Sequence, residues 1–129
     1  MKNILKFWKS ILWAAIIAFL LLLPGDKLPE KKLLNIPYFD KVVHAILFML
    51  LEFLLLIDTK SFLNFRNIRL KLTVLVIGYA LLTEGLQYFF TVSRNGDWYD
   101  FFADVTGIIV GWAVFLLYSN IIVQTFSRN

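Results

Sequence analysis

The chain has 129 residues, 60% of them hydrophobic and 17% aromatic, a net charge of +4 and a mean hydropathy of +0.74. A water-soluble domain of this size has too much surface for its volume to hide that many apolar side chains, so the composition excludes an ordinary soluble fold and makes lipid the natural solvent. The small positive charge is read as a topology signal and not as nucleic-acid binding, the absence of cysteine rules out disulfides and thiolate sites, and a single histidine cannot make a histidine-rich metal centre.

One all-α domain over residues 1–129 is expected: an integral membrane bundle of four transmembrane helices at about 4–23, 39–57, 72–90 and 101–123. A crossing helix needs roughly 20 mostly apolar residues. Helices are required because an open strand would leave backbone groups unpaired in lipid. In the first helix Lys6 and Lys9 can reach the interface on their long stems, and Pro24 and Gly25 stop it. Its basic start resembles a signal peptide, but the run ends "LLLLPGD" without a small-x-small cleavage site, so it is read as retained. The stretch "LPEKKLLNIPYFDK", residues 28–41, mixes cations with apolar groups before the second helix. "KSFLNFRNIRLK", residues 60–71, does so before the third, a composition that suits a short helix lying on an anionic leaflet. Trp8, Tyr38, Trp98 and Tyr99 fall where an aromatic belt is expected.

Lys2, Lys6, Lys9, Lys60, Arg66, Arg69, Lys71 and Arg128 then lie on one side of the membrane, with Asp58 as the lone acid. Lys27, Lys31, Lys32, Lys41 and Arg94 lie on the other, balanced by Asp26, Glu30, Asp40, Asp97 and Asp100. The basic side faces the cytoplasm, so both termini are expected to be cytoplasmic in a multi-pass membrane protein.

With that orientation, polar residues of three helices converge at the outer end. Asp40 and His44 share a face of the second helix at i and i+4, beside Lys41. Glu84 and Gln87 are i and i+3 near the end of the third, Glu84 about 9 Å below Phe90 at 1.5 Å per residue. Arg94 stands in the next loop beside an Asn95-Gly96 turn signal. Asp100 and Asp104 begin a stripe on the fourth helix that Gly107 and Gly111 continue. A charge in hydrocarbon costs several kcal/mol unless it is paired or wet, so these groups are expected to face one another, with the glycines admitting a neighbouring helix. Asp97 is read as a solvated turn residue and Asp100 as compatible with capping the fourth helix. Glu52 stands apart: it is either paired within the bundle or part of an interface with a second copy, and it has no role in the main site.

"DKVVH", "EGLQYFFTVSRNGDWYD" and "ADVTGIIVG", between residues 40 and 111, resemble the VanZ-like family, named for a protein associated with teicoplanin resistance. The family pattern has D-K-x-x-H at one helix start, E-x-x-Q at a helix end, an Arg in the next loop, then D-x-x-x-N-x-x-G-x-x-x-G. Asp104 stands where that pattern has Asn. The resemblance implies a small bacterial cell-envelope membrane protein linked to low-level glycopeptide resistance, and it selects no reaction.

The combined expectation is an outward-facing polar site for an anionic membrane lipid or lipid-linked envelope precursor. His44 and Glu84 are the candidate acid/base pair and Asp40 orients His44. Arg94 and Lys41 hold the anion, with Gln87, Asp100 and Asp104 also lining the site. A glycopeptide- or lipid-binding factor without turnover and a proton- or ion-coupled transporter are the alternatives. No cofactor, metal or nucleic acid is expected, and a homo-oligomer remains open. The Asp97, Asp100 and Asp104 spacing suits oxygen ligands for a divalent cation but completes no loop signature.

Overall fold

The computed structural model describes residues 4–23, 38–59, 65–90 and 97–127. Their regular structure is all helical. A 3-10 turn, Ile4–Phe7, leads into α1 (Trp8–Leu22), followed by α2 (Phe39–Asp58), α3 (Phe65–Phe90) and α4 (Trp98–Ser127). Leu23 leaves α1 with φ −64° and ψ 129°, the extended conformation that a following proline imposes on its neighbour. Before α2, Tyr38 adopts a left-handed conformation with φ 67°, which costs a residue with a side chain about 1–2 kcal/mol. Its carbonyl accepts the Val42 N–H at 3.1 Å, and Asp40 in the first turn complements the positive end of the helix dipole.

α3 begins seven residues earlier than the sequence suggests. The cationic stretch from Phe65 onward continues as one helix with the apolar run and is not a separate surface helix. Arg69 supplies a reason: its guanidinium lies 4.6 Å from the centre of the Phe115 ring, and its Nε reaches Thr59 Oγ1 at 3.4 Å. A cation held over an aromatic face ties the first turns of α3 to α4. Residues 60–64 and most of the stretch 28–41 lie outside the described residues.

Contacts between helices fix their directions. Ser10 Oγ donates to Asp58 Oδ2 at 2.7 Å and Trp13 Nε1 to the Leu47 carbonyl at 3.0 Å, so α1 and α2 are antiparallel. Tyr79 Oη donates to the Ala14 carbonyl at 2.6 Å and Gln87 Nε2 to the Leu21 carbonyl at 2.8 Å, so α1 and α3 are parallel. Lys41 with Asp100, His44 with Asp104 and Phe53 with Tyr118 pair α2 with α4 in the same sense. The result is an up-down-up-down bundle, with the start of α1 and the far end of α4 at one end.

The central packing is α2 on α4. α2 buries His44, Leu47, Phe48, Leu51, Glu52, Leu55 and Leu56, a stripe at helical spacing. α4 answers with Asp100, Asp104, Gly107, Ile108, Gly111 and Phe115, all buried. A Cβ on Gly107 would land inside the Ala45 peptide, and one on Gly111 would stand 2.6 Å from the Met49 carbonyl oxygen and 3.1 Å from Glu52 Cβ. At these two positions the backbones touch, and only glycine fits.

Glu52 is fully buried and paired within the bundle. Thr73 Oγ1 donates to its Oε1 at 2.6 Å, and Trp112 Nε1 donates to Thr73 Oγ1 at 2.7 Å. The internal pair, one of the two expected readings of Glu52, links α2, α3 and α4 through Oε1, while Oε2 is buried without a hydrogen-bond partner.

The outside of the bundle is apolar. Phe19, Val74, Leu75, Tyr88, Phe89, Phe90, Ile109 and Leu117 are each at least 63% exposed, while His44, Glu52, Glu84, Asp100 and Asp104 are buried. That is the reverse of a protein in water. Two stretches, Asn67–Phe90 and Trp98–Asn120, are long and apolar enough to cross a membrane. α1 is shorter, and α2, though 20 residues long, carries Asp40, Lys41, Glu52 and Asp58.

Gly107→Ala is expected to destabilise the bundle by about 1–3 kcal/mol through overpacking, whereas Gly78→Ala, whose Cβ meets nothing within 4 Å, leaves the melting temperature in detergent unchanged or raised. In the same assay Glu52→Leu, which leaves the Thr73 hydroxyl only the Arg69 carbonyl at 3.0 Å as acceptor, costs about 0.5–1.5 kcal/mol, and Glu52→Gln, which keeps the acceptor, costs clearly less.

Candidate functional site

The close approach at Gly107 sets the register one turn above it. His44 of α2 and Asp104 of α4, both fully buried, meet with His44 Nδ1 3.0 Å from Asp104 Oδ1. Glu84 of α3 comes to the same nitrogen, its Oε1 3.5 Å from Nδ1. Three helices thus each contribute one ionisable side chain to a single point. Asp40 and Asp100 stand above it. Each has a carboxylate oxygen within 4.8 Å of a His44 ring nitrogen, as the i and i+4 spacings on α2 and α4 require.

The hydrogen bonding in the cluster is incomplete. His44 Nε2, Glu84 Oε1 and Asp104 Oδ2 are buried and have no hydrogen-bond partner. A ring nitrogen has at most one proton to give, so Nδ1 cannot donate fully to both Glu84 and Asp104. Buried polar atoms left unmatched cost about 1–3 kcal/mol each, and such a cluster persists where something else completes it or where function demands it.

Lys41 closes the cluster towards the helix ends. Its Nζ donates to Asp100 Oδ1 at 2.9 Å and Asp97 Oδ2 at 3.2 Å, and lies 5.8 Å from the centre of the Tyr99 ring. The lysine expected to hold an anion is engaged by two carboxylates, and it joins the beginnings of α2 and α4. Gln87 is buried, and its amide donates to the Leu21 carbonyl, one of the acceptors left open in the last turn of α1. That bond directs the amide towards α1. Arg94 lies outside the described residues.

Asp97 departs from its expected role as a solvated turn residue. α4 starts at Trp98, and Asp97 is its N-cap. Its Oδ1 accepts the Tyr99 N–H at 3.1 Å and its carbonyl accepts the Asp100 N–H at 2.9 Å, the bonding an N-cap makes. Asp100, read as the cap from a helix start near 101, lies inside the first turn instead. The Asp97 N–H also donates to Glu84 Oε2 at 3.3 Å, which ties the start of α4 to the cluster. The dipeptide Asp97-Trp98 was the available signal, since Asp before an aromatic run is a common helix start. Thr73 and Trp112 carried no signal, because nothing in the sequence relates them to Glu52.

Glu84 has a second aspect. It lines a groove of about 430 Å³ between α3 and α4 together with Leu81, Gly85, Tyr88, Asp97, Trp98 and Phe101. The groove is open on one side and mostly apolar, and Glu84 joins it to the buried cluster.

These features define a small helical bundle with an apolar exterior and an ionisable cluster at one end. The chain belongs to the VanZ/LLP1 family, whose profile matches residues 1–119. Neither a curated protein nor a solved structure matches it.

The Tyr99 N–H, with help from Lys41, holds the Asp97 carboxyl below the usual carboxylate range, against the opposing effect of burial. A depressed folded-state pKa contributes stability that is present above the unfolded value and lost as pH falls through the folded one. Thermal unfolding in detergent is therefore expected to show part of the stability disappearing below about pH 4. Asp97→Asn, which keeps a capping oxygen, removes that part of the pH dependence, and Asp97→Ala lowers the melting temperature at neutral pH.

Proposed function

We propose that this chain is a four-span protein of the bacterial cytoplasmic membrane with both termini inside, and that the His44, Glu84 and Asp104 cluster receives the head group of a membrane-held envelope lipid or lipid-linked precursor at the outer leaflet. The observation that carries this reading is the double position of Glu84. One oxygen faces the imidazole of His44, and the same side chain lines an apolar groove open towards the surrounding lipid. An acyl or prenyl chain against Leu81, Tyr88 and Phe101 would bring its head group to Glu84.

In this reading Glu84 and His44 are the acid/base pair. Asp104 positions the imidazole through Nδ1, with Asp40 a turn away on the His44 face. Arg94, together with whatever share of Lys41 its two carboxylates leave, holds the anionic part of the ligand, and Asp100 and Gln87 border the site. Low-level resistance to glycopeptides such as teicoplanin would follow from changed presentation of the envelope precursor.

Transport is less well supported. The outer cluster and Glu52 are separated along α2 by Phe48 and along α4 by Ile108, both fully buried. A relay across the bundle would have to pass this apolar layer.

Expression in a glycopeptide-susceptible bacterium, followed by teicoplanin susceptibility and lipid mass spectrometry, tests the reading. Glu84→Gln and Arg94→Ala are expected to abolish the phenotype at unchanged protein abundance. Wild-type behaviour of both variants would remove the site. A changed lipid mass after incubation of purified protein with envelope lipids indicates turnover, and retention of unchanged lipid indicates binding alone.

A further inference from the structure

The cluster has a charge problem that the lipid reading sharpens. At its centre two carboxylates, Glu84 and Asp104, meet one imidazole, that of His44. Lys41 is engaged by Asp97 and Asp100. One imidazole, even protonated, balances one of the two carboxylates that converge on it. A phosphate-bearing head group would add further negative charge to the same place.

We propose that His44, Glu84 and Asp104 bind a divalent transition-metal ion, Zn²⁺ or Mn²⁺, through Nδ1 and one oxygen of each carboxylate. The three donor atoms lie within 4.8 Å of one another, and all three residues are buried. The Nδ1 separations are 3.0 Å to Asp104 and 3.5 Å to Glu84. Metal–ligand bonds of about 2.0–2.2 Å in tetrahedral geometry place neighbouring donors roughly 3.3–3.6 Å apart, close to the two observed separations from Nδ1. Independently of the acidic grouping, Glu84 Oε1 has no hydrogen-bond partner, its side chain is nine-tenths buried, and it is aimed at the same nitrogen as Asp104.

A water molecule at this point would answer the hydrogen bonds but not the charge. A divalent cation answers both, and one imidazole with two carboxylates is a donor set that Zn²⁺ and Mn²⁺ accept. Three protein ligands leave coordination positions open, and the groove along Glu84 gives access to them. Asp40 and Asp100 each have a carboxylate oxygen within 4.8 Å of a His44 ring nitrogen and so border the ion's surroundings.

This assignment rests on the lipid site proposed above and deepens it: His44, Glu84 and Asp104 then serve as ligands in place of the acid/base and positioning roles, and the ion, together with Arg94, meets a phosphate oxygen. It also replaces the expectation, drawn from the lone histidine, that no metal is bound.

The full chain, purified in detergent and stripped with a chelator, is titrated with Zn²⁺ and separately with Mn²⁺, and read by calorimetry and melting temperature. One ion per chain is expected, with a raised melting temperature. His44→Gln, Glu84→Gln and Asp104→Asn each weaken binding by at least about tenfold, and Glu52→Gln leaves it unchanged. Because the chain has a single histidine, a nitrogen coupling in the pulsed electron paramagnetic resonance of the Mn²⁺-loaded wild type assigns the ligand even if a variant fails to fold.

Absence of binding by both ions, binding indifferent to all three variants, or Mn²⁺ bound without nitrogen coupling would overturn the metal site. Phospholipid phosphorus retained through purification is measured on the same samples. Phosphorus retained by a chain that binds neither ion defeats the metal and spares the lipid site. A metal-loaded chain that retains none defeats the lipid site and spares the metal.

Discussion

The backbone contact between α2 and α4 governs the rest of this bundle. Gly107 lies against the Ala45 peptide and Gly111 against Met49, so the two helices run side by side without intervening side chains. Dispersion and close packing drive such contacts where the surroundings are as apolar as the helices themselves. The consequence is a fixed register. One turn above Gly107, Asp104 meets His44, and beyond Gly111, Trp112 meets the Thr73 hydroxyl that serves Glu52. Sliding either helix by one residue would turn both carboxylates away from their partners.

That register has an energetic reason. An ionised carboxylate moved from water into a low-dielectric interior costs several kcal/mol even after relaxation, and unless its partners are well placed their attraction does not repay it. The bundle treats its two polar layers differently. Around Glu52 one carboxylate oxygen accepts from Thr73, which Trp112 also meets, so that three helices are joined, while the other oxygen has no partner. Around His44 two carboxylates compete for one nitrogen and three buried atoms have no partner. The first arrangement holds helices together. The second brings ionisable groups from three helices to one point, and the apolar layer of Phe48 and Ile108 keeps the two separate.

Much of this was legible in the sequence because the constraints are local. The i and i+4 spacings of Asp40 with His44 and of Asp100 with Asp104 place each pair on one face of a helix whatever surrounds it. The G-x-x-x-G at Gly107 and Gly111 names the face of α4 that touches a neighbour. Boundaries were less legible. The start of α3 at Phe65 depends on Arg69 packing over Phe115, 46 residues away in the chain. The start of α4 at Trp98 depends on which of two nearby aspartates takes the capping position, and Asp97 takes it.

By itself the sequence determined that the chain is helical and apolar on the outside, and that its ionisable groups must gather, because hydrophobic content and helical periodicity are properties of short stretches. Only the tertiary structure decided which groups meet. Lys41 turns to Asp97 and Asp100, Gln87 to the end of α1, and Glu84 to both His44 and a groove. These pairings depend on how four helices cross, and the crossing is set by contacts between residues some 60 positions apart, such as Ala45 with Gly107, which no local pattern encodes.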